Sequence, residues 1–95
     1  EFIELHTGQY AEHFAEPARR DLELQRLIDC AKQAHALGLQ VNAGHGLSYL
    51  NLPLLHRVPH LVELNIGHSI ISRAITTGLA AAVKDMLALM QNYRG

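Results

Sequence analysis

The sequence predicts an α/β fold in which short parallel strands alternate with helices. Three segments, near residues 2–6, 39–43 and 62–66, alternate apolar and polar side chains as strands do. The stretches between and after them carry apolar residues at helical spacing or short turn signals. Strands that are joined through helical crossovers lie parallel in one sheet. The order therefore indicates a repeated strand–helix unit.

The first strand, Phe2–His6, is ended by Thr7-Gly8, and the polar residues 9–16 predict a loop. Pro17 suits a first helical turn, because its fixed φ matches a helix and its missing N–H is not needed there. Gly38 is a suitable residue just beyond the helix end. The apolar positions that predict this helix recur at helical spacing: Leu24, Leu27, Ile28, Ala31, Ala34 and Leu37.

The second strand, Leu39–Ala43, ends abruptly at Gly44-His45-Gly46, where a histidine stands between two glycines. Residues 51–57 predict one or two short turns, and Pro59 closes that loop. The third strand, Val62–Ile66, therefore follows the second through a short, partly helical connection.

A second Gly-His pair, Gly67-His68, follows the third strand and precedes a short helix predicted over 69–76. A longer helix is predicted from about Thr77. Its expected apolar face consists of Leu79, Val83, Met86, Leu87 and Met90.

Each predicted strand has one apolar and one polar face, which is unusual for a parallel sheet covered on both sides. Ile3, Val41 and Leu64 belong to the apolar face, whereas Glu4 and Glu63 belong to the polar face. An antiparallel sheet with one wet face would explain this alternation, but the helical connections disfavour it. A barrel explains it better, with the apolar face against outer helices and the polar face toward the lumen.

Composition excludes several classes of protein. The chain has 95 residues, of which 48% are hydrophobic, so it is a folded sequence with one small core. A net charge of −1 without a basic block argues against nucleic-acid binding. No apolar run approaches the roughly 18 residues of a membrane span. Cys30, the single cysteine, excludes an internal disulfide, is expected to be a small packing residue, and favours a reducing cytoplasm.

The two Gly-His pairs are the candidate chemical groups. In a (β/α)8 barrel the active site lies at the carboxyl ends of the strands, with phosphate often bound at the start of a short helix near the last strands. Gly67-His68 fits such a site, because a helix N-terminus attracts anions. An ordinary strand-to-helix turn is the alternative.

His45 is the only titratable group among residues 42–48, which suggests a general acid or base. The alternative is a loop histidine whose side chain only caps a backbone group. Glu4, on the polar face of the first strand, would stabilise a cationic intermediate, shuttle a proton or form a structural ion pair. No histidine and cysteine spacing typical of a metal site occurs.

Three spaced motifs resemble pyridoxine 5′-phosphate synthases. They are Phe2-Ile3-Glu4-Leu5-His6-Thr7-Gly8, Val41-Asn42-Ala43-Gly44-His45-Gly46-Leu47 and Glu63-Leu64-Asn65-Ile66-Gly67-His68-Ser69-Ile70-Ile71, followed by the ending Asn92-Tyr93-Arg94-Gly95. The resemblance covers the whole chain. It implies the carboxyl-terminal part, about three strand–helix units over residues 1–95, of a single TIM (β/α)8-barrel domain whose amino-terminal part is absent.

The resemblance also implies an activity. The family condenses 1-deoxy-D-xylulose 5-phosphate with 3-amino-2-oxopropyl phosphate to give pyridoxine 5′-phosphate, phosphate and water in vitamin B6 biosynthesis. It requires no metal or organic cofactor, is cytoplasmic and forms homo-oligomers, typically octamers. By resemblance, His45 is the proton donor, Glu4 stabilises the transition state, Gly46 contacts substrate, and Gly67 and His68 bind phosphate.

Two features set this chain apart from a complete member of that family. The family often has a histidine where this chain has Leu50. A barrel needs about 200 residues or more, and this chain begins inside a strand without methionine, so a piece of a longer protein is expected. The alternatives are another phosphate-binding barrel enzyme, such as an isomerase or lyase, and a non-catalytic fragment that assembles through open sheet edges.

Overall fold

The computed structural model describes residues 1–95 and contains three strands and five helices. They are β1 Phe2–His6, α1 Gly8–Glu12, α2 Pro17–Ala36, β2 Gln40–Gly44, α3 Leu52–Leu55, β3 Leu61–Asn65, α4 His68–Thr77 and α5 Leu79–Met90. The strand order is β1-β2-β3, and both pairings are parallel. The predicted parallel α/β arrangement is confirmed, and the antiparallel alternative is wrong.

The core lies between the apolar face of the sheet and helices α1, α2, α3 and α5. Val41 is buried, and Ile3 and Leu64 pack against the buried cluster, as their alternation predicts. Two expectations for the α2 region are wrong. Leu37 is the residue at which the helix ends, and its side chain is exposed. Cys30 is exposed, because its position in α2 turns its side chain away from the core.

Helix α1 occupies part of the segment that the sequence predicted as a loop. Its polar residues give little local signal, but Tyr10 is only 1% exposed and its hydroxyl donates a hydrogen bond of 2.5 Å to the Asn51 carbonyl. Burial of one aromatic side chain stabilises this short helix by far more than its own propensity would. The prediction failed because the contact lies 41 positions away in the sequence.

Strand β3 departs from the alternation that its sequence predicts. Val41 pairs with Leu61, but Asn42 pairs with Glu63, so Val62 is an extra residue in β3. Such a bulge shifts the side-chain register. Val62, predicted on the core face, is 67% exposed, and Leu61 takes the partly buried position instead.

Helices α4 and α5 leave much of their apolar surface uncovered. Of the predicted apolar face of α5, Met86 is buried and Met90 is partly buried. The other predicted members, together with two residues of α4, are exposed: Leu79, Val83, Leu87, Ile71 and Ile75. Three strands provide too little sheet to cover both helices. Strands β1 and β3 are the edge strands of this open sheet. None of the helices combines the length and apolar character required to cross a lipid bilayer.

Burial of Tyr10 has a consequence that is measurable by titration. Loss of solvation raises the pKa of its phenol from 10.0 to about 12, and the positive charge of Arg20 opposes this only in part. Because the folded state holds this proton more tightly than the unfolded state, the shift contributes to the free energy of unfolding. This contribution is complete below pH 10 and is lost as the pH rises from 10 to about 12. Partial burial also raises the pKa of Tyr93, so the step that we assign to Tyr10 is the one near pH 12 in an ultraviolet titration of the folded protein. Tyr10→Phe should remove that step, and a Tyr10 that ionises near pH 10 would contradict the burial argument.

Candidate functional site

A polar cavity of about 480 Å³ opens at the carboxyl ends of β2 and β3. It is lined by the loop after β2, residues 45–48, and by residues 65–69, which include the last residue of β3 and the start of α4. Four of the five predicted site residues line it: His45, Gly46, Gly67 and His68. The structure thus brings together two motifs that are more than twenty positions apart in the sequence.

Glu4, the fifth predicted site residue, does not line this cavity but contacts a residue that does. Its carboxylate accepts a hydrogen bond from the Asn65 side-chain amide, and Asn65 lines the cavity. Gly44 of the central strand leaves room for this contact, since a Cβ there would lie 3.0 Å from the Asn65 Cβ and 3.3 Å from the Glu4 carboxyl carbon. The sequence signal for the Glu4–Asn65 contact is Gly44. A glycine at the end of the central strand leaves room for polar side chains of the two neighbouring strands to meet.

The remaining polar side chains of the sheet form a connected layer on the same face. Asn42, which is 2% exposed, donates a hydrogen bond to the Glu63 carboxylate at 3.3 Å and accepts one from the Gln40 amide at 3.0 Å. Glu4 and Glu63, expected to face a lumen, are exposed in this chain. Their partners are amides, so the layer carries negative charge without an ion pair.

His45 lies at a backbone position that few side chains adopt. Its φ is +89°, outside the regions that L-residues favour. Thr7, which is fully buried, stabilises this turn: its hydroxyl lies 2.8 Å from the Gly44 carbonyl and 2.5 Å from the His45 carbonyl, and its N–H donates to the Gly44 carbonyl at 2.9 Å. The His45 ring stacks on His6, with the ring centroids 4.3 Å apart. Neither Thr7 nor His6 was predicted as part of the site.

The rest of the loop after β2 is held from the other side. Gly46 has a φ of +76°, and a Cβ there would lie 2.8 Å from the Ala11 Cβ, so this position requires glycine. The Asn51 amide donates to the Gly46 carbonyl at 3.1 Å, and its oxygen accepts from the Ser48 N–H at 2.8 Å. The loop is therefore fixed on both sides of His45.

The segment after β3 opens helix α4 at the cavity. Gly67 is the residue before the helix and His68 is its first residue, and no side chain caps the helix start. The first N–H groups of a helix lack intrahelical partners and lie at the positive end of its dipole. The Ser69 hydroxyl donates to the Leu47 carbonyl at 3.1 Å, which ties this segment to the loop carrying His45. The arrangement provides anion-binding groups beside an imidazole.

Another cavity of the chain lies apart from this one. An apolar cavity of about 100 Å³ lies between α3, β3 and Tyr93 and contains none of the predicted site residues. No group of three or more histidine, cysteine, aspartate or glutamate side chains is arranged to hold a metal ion.

Fold and cavity together define the chain as a parallel α/β protein with its polar cavity at the carboxyl ends of the strands, where such proteins bind ligands. The chain belongs to the family described as pyridoxal phosphate biosynthesis protein PdxJ, whose model matches residues 1–92.

Curated relatives carry a more specific description. A pyridoxine 5′-phosphate synthase of Opitutus terrae is 54% identical over 88 residues, which are 93% of this chain and 36% of that protein. Synthases with the same description from Idiomarina loihiensis and Thermosynechococcus vestitus are 51% and 56% identical over 97% and 95% of this chain. The chain spans 36–38% of the length of these relatives.

Proposed function

We propose that this chain is the carboxyl-terminal part of a pyridoxine 5′-phosphate synthase. The complete enzyme would condense 1-deoxy-D-xylulose 5-phosphate with 3-amino-2-oxopropyl phosphate to give pyridoxine 5′-phosphate, inorganic phosphate and water. The observation that carries the proposal is the single cavity lined by His45 and by the Gly67-His68 start of α4. The names of relatives at about half identity support the reaction.

The proposed roles follow from the chemistry of each group. His45 donates a proton, because an imidazole exchanges protons near neutral pH. Gly67, His68 and the first N–H groups of α4 bind a substrate phosphate. Gly46 contacts substrate through its backbone, which no side chain shields. Glu4 supplies a negative charge that stabilises positive charge developing in the transition state.

The open sheet supports a place for the chain within a larger barrel. Residues 1–95 would form the last three strand–helix units of one (β/α)8 domain, and the rest of the barrel would pair with β1 and β3 and enclose the polar face. The enzyme would be a cytoplasmic homo-oligomer, an octamer in the family, that uses phosphorylated substrates and no organic cofactor or metal. The free edges also favour the second candidate, a non-catalytic fragment that assembles through them.

A segment exchange tests the proposal. Replacing the matching segment of the Opitutus terrae synthase by this chain gives a polypeptide of full family length, here called the chimera. We expect the chimera to fold and to form pyridoxine 5′-phosphate from the two substrates, and the same host without the segment should be inactive. A folded chimera that makes no product would contradict the assignment of function. A chimera that assembles into open polymers would favour the non-catalytic fragment.

A further inference from the structure

We infer that His6 is a positioning residue for His45, whose imidazole it holds in one orientation by ring stacking. The inference deepens the proposed function and rests on it, since it concerns the group proposed to transfer the proton. The sequence offers no reason to link the two residues, since His6 is the last residue of β1 and His45 follows β2. The structure places them side by side at the carboxyl ends of β1 and β2.

The contact between the two rings is close and nearly parallel. Their centroids are 4.3 Å apart and their planes are inclined by 26°, which is the geometry of a stacked pair. His45 is exposed and stands between two glycines, so its neighbours in the sequence provide no packing for the ring. Stacking on His6 limits the rotation of the His45 ring.

His6 is itself fixed by the backbone. The Gly8 N–H donates a hydrogen bond of 3.3 Å to His6 Nδ1. An imidazole nitrogen accepts such a bond only when it carries no proton, so this bond favours the tautomer with the proton on Nε2. This bond restrains the orientation of the ring on which His45 stacks.

Gly8 also provides the space in which the two rings meet. A Cβ at this position would lie 2.6 Å from His6 Cε1 and 3.0 Å from His45 Cδ2. Both distances are shorter than ordinary contacts between carbon atoms, so any side chain at residue 8 would displace one ring or both. Gly8, His6 and His45 therefore form one packed unit. Thr7, which lies between His6 and Gly8 in the sequence, holds the His45 backbone through its hydroxyl.

Orientation matters because proton transfer requires the donor nitrogen close to the substrate atom. A misplacement of about 1 Å reduces rates by as much as about 100-fold. Loss of His6 should therefore lower turnover. The substrate should still bind, because its phosphate groups are held at the start of α4. The expected signature is a fall in kcat with little change in KM.

Three substitutions in the chimera separate the ring from the hydrogen bond. His6→Ala removes both, His6→Phe keeps a flat ring, and His6→Asn keeps an acceptor near the position of Nδ1. We expect His6→Ala and His6→Asn to lower kcat by about 10- to 100-fold. His6→Phe should recover most of the loss. The matched control is His35→Ala, which breaks the His35–His60 stack, with centroids 3.7 Å apart, at the opposite end of the sheet, and should leave kcat unchanged.

Crystal structures of the same variants provide a readout that does not depend on activity. The His45 ring should have one orientation in the parent chimera and in His6→Phe, and more than one in His6→Ala. Parent turnover in His6→Ala, or equal recovery by Asn and Phe, would overturn the inference while leaving the proposed function intact. An inactive parent chimera would instead contradict the proposed function, and the orientation of His45 would still decide the role of His6.

Discussion

Replacing His45 by asparagine in the chimera is expected to lower turnover by about 100- to 10,000-fold, which is the usual contribution of a general acid or base. Affinity for phosphorylated substrates should change little, because the groups proposed to bind phosphate lie at the start of α4. Asparagine is the preferred replacement, since it cannot transfer the proton at neutral pH but tolerates the positive φ of this position. Steady-state kinetics and calorimetric titration with each substrate provide the two measurements.

His45→Ala extends the test, because it removes the proton donor and also strains the backbone. If the strain were the cause of a loss, His45→Asn would retain activity while His45→Ala lost it. Comparable losses in both variants, with melting temperatures near that of the parent, would assign the loss to the imidazole. Normal turnover at saturation in His45→Asn together with weak substrate binding would show that His45 binds substrate and does not transfer a proton.

Replacing Gly67 by valine is expected to weaken the binding of phosphorylated substrate by about 10- to 100-fold. That range corresponds to the loss of one hydrogen bond to a charged group. The variant should fold normally, because φ at Gly67 is −131° and a Cβ there has no atom within 4 Å. The new side chain would therefore crowd the ligand at the start of α4 and would not disturb the protein. Titration with inorganic phosphate and with each substrate measures the effect.

Gly67→Ala is the matched control for size, and its loss of affinity should lie between those of the parent and Gly67→Val. At saturating substrate, turnover of both variants should fall only as far as the substrate is displaced from His45. A Gly67→Val variant that binds phosphate as tightly as the parent would place the phosphate site elsewhere. Together with the His45 variants, this result separates proton transfer from anion binding within one cavity.

The sequence by itself determined the three strands, the long helix α2 and the order of the elements, but not helix α1. Alternation in three short segments predicted strands within one residue of their bounds, and Pro17 and Gly38 marked the limits of α2 because their backbone preferences are local properties. The two Gly-His pairs were identified as candidate site residues because each is a short local motif directly after a predicted strand. Both pairs lie at the carboxyl ends of strands of the parallel sheet, and both histidines line one cavity.

Only the tertiary structure decided how these elements fit together. The bulge that exposes Val62, and the helix that Tyr10 stabilises, depend on pairing and burial between distant segments. The same holds for the Glu4–Asn65 hydrogen bond over Gly44 and for the stack of His6 on His45. Each of these contacts joins residues that are distant in the sequence and that come together only when neighbouring strands fix their register. Local pattern carries no record of that register, so the surroundings of the candidate groups follow from the fold alone.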